Sequence, residues 1–329
     1  MTKVRRNVKI TVAENGANAK TEAKMKKIYR LTPACKDNIW GGNKLRAYGK
    51  ESDKDRIAES WELSFTNGGE AEIDDGRKMS EAFPRESWGA NAERFHAFPV
   101  LTKFIDAQDK LSVQVHPSDE YALKHEGQFG KTEMWYVVEA DEGAGLYMGL
   151  ERECSSEEFA SAVADGSVEE LLSFKKVKRG DVYFIPSGTI HAIGAGTVIF
   201  EIQQNSTLTY RLYDYMRRDK DGNLRELHVD KAMKVSLLEP YKERVFDKCD
   251  ESLIGVCEYF ETHKYQLNFT KKTFNVGNES CLSITCVGGE GTVEGEKISL
   301  GDTFFIPSGA GEITVDGNLE IITVTIPEK

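Results

Sequence analysis

Four side chains that can bind a divalent metal lie in three separate stretches of this chain. They are Gln114, His116, Glu133 and His191. Two imidazoles, one carboxylate and one amide oxygen form a borderline-hard ligand set, which suits zinc and also manganese, iron or nickel. The set contains no thiolate and leaves a coordination position for a substrate oxygen. Such a combination is typical of a catalytic metal site.

The sequence around these side chains predicts β-strands that would bring them together. Residues 111–116 and 133–138 are rich in β-branched and aromatic side chains, as strands usually are. Alternate side chains of a strand point to the same face. Ser112, Gln114 and His116 therefore share a face, and we expect Glu133 and His191 to face the same space.

Length and composition are those of an ordinary globular protein. The 329 residues suffice for two domains, and 40% of them are hydrophobic and 29% charged. No run of about 18 apolar residues is present, which argues against a membrane-spanning helix. The net charge of −11 argues against a nucleic-acid partner. An anionic substrate would therefore need lysine or arginine side chains placed locally.

The cysteines and the N-terminal segment carry little functional information. The six cysteines show no Cys-x-x-Cys pair and no regular spacing, and no apolar secretion segment is present. Reduced thiols of a cytoplasmic protein are therefore expected, with Cys281 and Cys286 packed in a core. Residues 1–27 hold eight lysines and arginines against two glutamates. We interpret them as a basic, flexible extension.

The remaining chain is predicted to be mainly β, with few helices. Residues 28–138 should form short strands, including 98–107, around a helical or irregular stretch at 80–96. A helix broken near Gly166 is expected over residues 155–174, then a strand over 175–185. A further helix is expected at about 229–238, and β structure follows residue 248.

One ten-residue pattern occurs twice. Residues 179–188 (RGDVYFIPSG) and 300–309 (LGDTFFIPSG) share a Gly-Asp turn, an aromatic and apolar strand and a Pro-Ser-Gly turn. This repetition indicates one supersecondary unit used twice. An ungapped overlay places Glu312 where the first copy has His191, and no His-x-His precedes the second copy. We therefore expect the second unit to be metal-free.

The first copy continues to His191 and resembles the second conserved motif of the cupins, a jelly-roll-like barrel superfamily. Other stretches, in their order along the chain, resemble type I phosphomannose isomerase (mannose-6-phosphate isomerase) in its shorter bacterial form. They are residues 40–42, 103–107, 111–117, 131–133, 201–203 and 209–211. The resemblance spans roughly residues 28–329. It implies two cupin (double-stranded β-helix, jelly-roll) barrels, a catalytic domain over 28–245 with a small helical insertion and a second, metal-free domain over 246–329.

The resemblance also implies an activity in carbohydrate metabolism: a zinc-dependent isomerase that interconverts mannose 6-phosphate and fructose 6-phosphate. One Zn²⁺ per chain is expected, on ligands that match Gln114, His116, Glu133 and His191. Arg211 matches the family's essential arginine, and Lys103 and Ser112 match residues near the substrate phosphate. The expected partner is a hexose 6-phosphate, with neither nucleic acid nor membrane, and a monomer is the default.

The acid and base groups are not fixed by the resemblance. Longer family members carry a histidine where this chain has Gly130, and often a proline at Thr132, so a relay through that histidine cannot operate here. Aldose–ketose isomerisation moves a proton between C1 and C2 through an enediolate. A base must lie within about 3 Å of that hydrogen, and Arg211 could stabilise the oxyanion. Glu201 and Lys131 are the candidates for proton transfer.

Simpler interpretations stay open at this point. Glu133 could be an edge carboxylate, Lys103 a solvated strand lysine, and Arg211 a salt-bridge partner of Asp214. The four tryptophans are most simply core aromatics: Trp40, Trp61, Trp88 and Trp135. The other histidines have no ligand spacing: His96, His125, His228 and His263. For function, the alternatives are a non-catalytic sugar-binding or regulatory cupin and a cupin isomerase for another sugar phosphate.

Overall fold

The computed structural model describes residues 26–219, 221–244, 246 and 250–329. The predicted N-terminal extension, residues 1–27, lies almost wholly outside the described residues. Within the described ranges, no helix has the length and apolar character needed to cross a membrane.

The described residues are mainly β, as predicted. The strands of the first part are β1 (Tyr29–Thr32), β2 (Ala34–Lys36), β3 (Glu59–Leu63), β4 (Glu72–Ile73), β5 (Val100–Ala107), β6 (Val113–Val115), β7 (Glu133–Ala140), β8 (Gly145–Leu150), β9 (Leu172–Lys176), β10 (Val182–Ile185), β11 (His191–Ile193), β12 (Thr197–Gln204) and β13 (Tyr210–Tyr213). Those of the last part are β14 (Leu253–Val256), β15 (Glu261–Val276), β16 (Leu282–Val293), β17 (Glu296–Ser299), β18 (Thr303–Ile306) and β19 (Gly311–Thr325). The α-helices are α1 (Met79–Ala82), α2 (Asp119–His125), α3 (Ser156–Asp165) and α4 (Val229–Met233).

Two antiparallel sheets face each other and hold the candidate site between them. One has six strands in the order β10-β7-β12-β5-β3-β2, and the other has five in the order β13-β6-β11-β8-β9. Ile105, Val137 and Ile199 of the six-stranded sheet share an apolar cluster with Leu146 and Ile193 of the five-stranded sheet. The inner faces of the two sheets are therefore packed together.

Two further layers cover the outer faces of these sheets. Phe159 of α3 and Ala232 of α4 pack with Leu212 on the five-stranded sheet. The six-stranded sheet packs on the C-terminal sheet, where Phe200 and Phe305 share a cluster. Because both faces of the six-stranded sheet are covered, every residue of β12 is buried. Such a strand has no solvent-facing polar side, so its internal polar side chains require partners within the protein.

The C-terminal sheet has eight strands and includes two from the start of the chain. Its order is β14-β15-β19-β16-β18-β1-β4, with β17 paired to β16. Strand β1 pairs with β18 through Tyr29 and Phe305. The sheet also encloses an apolar cluster of its own, including Leu267, Ile284 and Val315, so we infer that it curls over its own side chains. Strands β1 and β4 come from the predicted first domain but belong to this sheet. The predicted division near residue 245 therefore stays a prediction.

The repeated pattern adopts the same local structure in both copies. The aromatic and apolar segments form β10 and β18. Gly180 and Gly301 have φ values of 92° and 96°, a left-handed backbone that glycine adopts without a steric penalty. This part of the sequence prediction is confirmed. Glu312, which takes the position of His191 in the overlay, is exposed on β19.

The predicted break near Gly166 is confirmed, but both predicted helical stretches extend too far. Helix α3 ends at Asp165, because Gly166 adopts a left-handed C-terminal cap, and a 3-10 helix follows over Ser167–Leu171. Residues 172–176 then form strand β9, where Leu172 pairs with Leu150. Helix α4 ends at Met233, and the backbone N–H of Leu237 donates to the carbonyl of Gly188 instead of continuing the helix. In both places pairing with a distant strand or turn outweighs local helix propensity.

Candidate metal centre and active site

Three of the four predicted ligands lie together in the space between the two facing sheets. His191 begins β11, Glu133 begins β7, and His116 follows β6. Their candidate ligand atoms all lie within 4.8 Å of one another, and all three side chains are buried. His116 Nε2 lies 3.6 Å from one carboxylate oxygen of Glu133, and His191 Nε2 lies 3.3 Å from the other.

Both imidazoles are held in the orientation that a metal ligand needs. His116 Nδ1 lies 2.9 Å from the carbonyl oxygen of Leu208, and His191 Nδ1 lies 2.8 Å from that of Thr189. A carbonyl only accepts hydrogen bonds, so Nδ1 carries the proton in each ring. The lone pair of Nε2 then points toward Glu133, and such backbone contacts are typical of metal-bound histidines.

Burial keeps these imidazoles neutral. It lowers the pKa of His191 to about 4, with Lys131 adding to the effect, and it lowers the pKa of His116 well below its ordinary value. Neutral imidazole is the form that binds a metal.

The positive charge near Glu133 does not fully offset the cost of burying its carboxylate. Burial, reinforced by the negative charge of Glu201, raises the pKa of Glu133 to about 8. The Lys131 ammonium contacts one carboxylate oxygen, and no hydrogen bond of regular geometry from the described residues reaches either oxygen. In addition to the Lys131 ammonium, a divalent cation held by the two Nε2 atoms and this carboxylate would balance the remaining negative charge. The residues present therefore fit a zinc-like ion.

Gln114 and Arg211 lie beside the ligand cluster through strand pairing. Gln114 is the register partner of His191 on β11 and of Arg211 on β13. Its amide nitrogen lies 3.4 Å from His191 Nε2. The amide could therefore join the ligand set by presenting its oxygen, while Arg211 stands one strand further away.

The Arg211 guanidinium is anchored by neutral groups. Its Nε donates to the Ser112 hydroxyl at 3.3 Å, and one terminal nitrogen donates to the Glu226 carbonyl at 2.8 Å. Asp214, the alternative partner considered from the sequence, pairs with Arg217 and Arg225 instead. Among the residues that the structure describes, no carboxylate contacts the Arg211 guanidinium directly, so its positive charge is not neutralised by an ion pair with any of them.

Lys131 and Glu201 reach the same space from the six-stranded sheet. The Lys131 ammonium contacts a carboxylate oxygen of Glu133 and lies 3.3 Å from His116 Nε2. It also lies 3.6 Å from Glu201. Glu201 accepts a hydrogen bond from the indole N–H of Trp135 at 2.9 Å. Both candidates for proton transfer are therefore adjacent to the ligand cluster.

The Lys103 side chain is largely buried and forms ion pairs with two carboxylates. Its side chain is 12% exposed and pairs with Glu201 at 2.7 Å and with Glu59 at 3.5 Å. Burial opposes the charge of Lys103, but the two carboxylates outweigh it and raise its pKa. Burial likewise opposes the charge of Glu201, but Lys103 and Lys131 hold its pKa below the ordinary range. The interpretation of Lys103 as a solvated strand lysine was wrong.

Sequence reasoning missed residues that line the site. Trp135 was expected in the core; it is buried but bonds Glu201, and its ring lies edge-on to His191 with centroids 5.3 Å apart. Trp61 is only partly buried and donates its indole N–H to Glu59 at 2.8 Å. The available signal was strand alternation, since Trp135 is two residues from Glu133. Trp40 and Trp88 are buried, as expected.

Comparisons with known proteins agree with this arrangement. A family model for the catalytic domain of type I phosphomannose isomerase matches residues 28–143, and one for the cupin domain of mannose-6-phosphate isomerase matches residues 251–326. The chain is 37% identical over 308 residues to mannose-6-phosphate isomerase ManA of Bacillus subtilis (strain 168), covering 88% of this chain and 96% of that protein. It is 36% identical over 298 residues to a mannose-6-phosphate isomerase of Streptococcus mutans, covering 86% and 93%.

A solved structure shows the same likeness in three dimensions. The crystal structure of the mannose 6-phosphate isomerase from Bacillus subtilis matches with a TM-score of 0.82 at 31% identity, over 91% of this chain and 99% of that chain. The likeness extends through the ligand-bearing sheets and the C-terminal sheet alike. This chain belongs to the type I phosphomannose isomerase family.

Proposed function

We propose that this chain is an aldose–ketose isomerase that interconverts mannose 6-phosphate and fructose 6-phosphate. The names of its relatives give mannose 6-phosphate as the substrate, and moving the carbonyl of this aldose from C1 to C2 yields fructose 6-phosphate. The observation that carries the proposal is the row His191–Gln114–Arg211 across three paired strands. It sets a cationic side chain beside a buried histidine and carboxylate cluster, as stabilisation of an enediolate requires.

We propose that His116, Glu133 and His191 hold one zinc ion, with Gln114 as a fourth ligand. When bound, the ion would act as a Lewis acid that polarises the sugar carbonyl. The neutral imidazoles and the poorly compensated carboxylate support this assignment.

The remaining steps belong to the side chains around this cluster. Arg211 would donate hydrogen bonds to the oxygen that becomes negative when the carbon acid loses its proton. Lys131 and Glu201 would carry the proton between C1 and C2, because both reach the same buried space and are in ionic contact. Burial of the ligand cluster would exclude bulk water and so preserve the enediolate.

A coupled assay with metal analysis tests the proposal. We expect about one zinc per chain and turnover of mannose 6-phosphate to fructose 6-phosphate, with loss of activity on chelation and recovery on adding zinc. In D₂O, deuterium should enter the product carbon, because the proton passes through exchangeable side chains. Bound metal without turnover of any hexose 6-phosphate would favour the sugar-binding alternative.

Ser112 is proposed to lie near the substrate phosphate. The resemblance implies the same for Lys103, but its buried ion pair with Glu201 supports a role in keeping that carboxylate ionised, and one variant separates the two roles. We expect Lys103→Met to lower kcat about 10-fold with little change in KM, because Glu201 would lose its partner at 2.7 Å. Steady-state kinetics with mannose 6-phosphate measures both constants. The control is Lys176→Met, which removes an exposed lysine at the end of β9. A rise in KM at constant kcat would instead assign Lys103 to the phosphate.

We also propose the organisation and setting of the molecule. The catalytic domain would span residues 28–245 and the second, metal-free domain residues 246–329. The protein would act as a cytoplasmic monomer on a hexose 6-phosphate, without nucleic acid or membrane. Size-exclusion chromatography with light scattering tests the monomer.

A further inference from the structure

Asp119 joins four segments of the chain close to the site, although it touches none of the ligands. It begins α2, three residues after His116. One carboxylate oxygen accepts the backbone N–H of Gly130 at 2.6 Å and the side-chain amide of Gln204 at 2.6 Å. The other oxygen accepts the hydroxyl of Tyr259 at 2.7 Å. One side chain thus ties the His116 segment to the segment before Lys131, to the end of β12 and to the C-terminal region.

Backbone contacts make this connection stiff. The N–H of Lys131 donates to the Pro117 carbonyl at 3.0 Å, and the N–H of Gln204 donates to the Thr132 carbonyl at 2.8 Å. Residues 130–132 are therefore fixed on one side by the His116 segment and on the other by β12. The Asp119 side chain reinforces both contacts, because one of its carboxylate oxygens accepts hydrogen bonds from Gly130 and from Gln204.

Gly130 allows the two segments to lie in direct contact. A Cβ atom at this position would lie 2.5 Å from the Pro117 carbonyl oxygen and 2.6 Å from the Asp119 backbone nitrogen. A Cβ atom does not lie so close to non-bonded backbone atoms. Any side chain here would therefore push residues 130–132 away from the start of α2. Gly130 thus permits a close backbone contact that the hydrogen bond to Asp119 completes.

We propose that Asp119 is a positioning residue that sets where the Lys131 ammonium lies relative to His116 and Glu133. The proposal rests on the proposed function in that Lys131 takes part in proton transfer. Displacement of a reacting group by about 1 Å can cost up to about 100-fold in rate. The Asp119 carboxylate fixes Gly130, the residue before Lys131, and Gln204, whose backbone N–H holds Thr132, the residue after it. It can therefore control turnover without contacting the substrate.

The test compares Asp119→Ala with Asp119→Asn in the full-length, zinc-loaded protein. We expect Asp119→Ala to lower kcat by about 10- to 100-fold, with KM changed less than about 3-fold and zinc content unchanged. Asp119→Asn keeps an oxygen for Gly130 and Gln204 and should recover most of kcat. Glu120→Ala is the matched control, since Glu120 is the exposed neighbour in the same helical turn and should leave kcat unaltered.

Crystal structures of the same proteins provide a readout that does not depend on turnover. In Asp119→Ala we expect Lys131 Nζ to move relative to His116 Nε2, from which it lies 3.3 Å away here, and to return in Asp119→Asn. An unmoved Lys131 in Asp119→Ala would overturn the positioning role whether or not the protein is an isomerase. An inactive wild type would refute the proposed function alone. Equal loss of kcat in the Ala and Asn variants would also refute positioning by these hydrogen bonds.

Discussion

Arg211→Ala should reduce kcat/KM by roughly 100- to 1000-fold while the protein keeps its metal. The magnitude is that expected for removing one donor aimed at a developing oxyanion. The metal should stay, because the Arg211 side chain bonds Ser112 and the Glu226 carbonyl and contacts none of the three clustered ligands. Steady-state kinetics and zinc analysis of the same preparation measure the two quantities together.

Two further variants make the Arg211 result specific. Arg218→Ala removes an exposed positive charge from the following segment and should retain full activity. Arg211→Lys keeps the charge but loses the planar fork of donors, so we expect only partial activity. Undiminished turnover in Arg211→Ala would remove this residue from the mechanism, whatever the metal content.

His191→Ala should abolish both metal binding and turnover. His191 Nε2 lies 3.3 Å from Glu133, and its Nδ1 proton is fixed by the Thr189 carbonyl, so the remaining residues cannot replace it. Loss of a direct ligand should weaken zinc binding by more than the roughly 10- to 100-fold that loss of an outer hydrogen-bond partner costs. Zinc content after gel filtration and the coupled assay report the two effects.

His191→Gln and His125→Ala test whether a packing defect, and not loss of a ligand, causes the effect of His191→Ala. His191 packs against Trp135, so the alanine variant also opens a space in the core. His191→Gln fills more of that space and should still lose tight zinc binding. His125 is exposed on α2, and its replacement by alanine should change neither quantity. One zinc per chain in both His191 variants would show that this histidine is not a ligand.

The sequence was most informative where local patterning and chemistry coincide. Strand alternation correctly placed Gln114 and His116 on strand β6 and at its end, and the repeated pattern correctly predicted two similar turns and strands. Helix lengths were less well predicted, since Leu172 and Leu237 are held by partners far away in sequence. Local propensity contains no information about such partners.

Charge pairing in the site was likewise beyond sequence reasoning. Lys103 pairs with Glu201 and Glu59, from two other strands of the same sheet. Asp214 pairs with Arg217 and Arg225 and leaves Arg211 to neutral partners. A single sequence shows which charges exist, but their partners depend on which strands become neighbours.

By itself, the sequence determined the kinds of side chain available for chemistry, the mainly β character and the duplicated turn–strand–turn unit. These properties follow from residue type and short-range spacing. Only the tertiary structure decided that His191, Gln114 and Arg211 stand in one row and that Asp119 ties Gly130, the residue before Lys131, to the His116 segment. The physical reason is that strand register and interlayer packing are set by hydrogen bonds and apolar contacts between residues many positions apart.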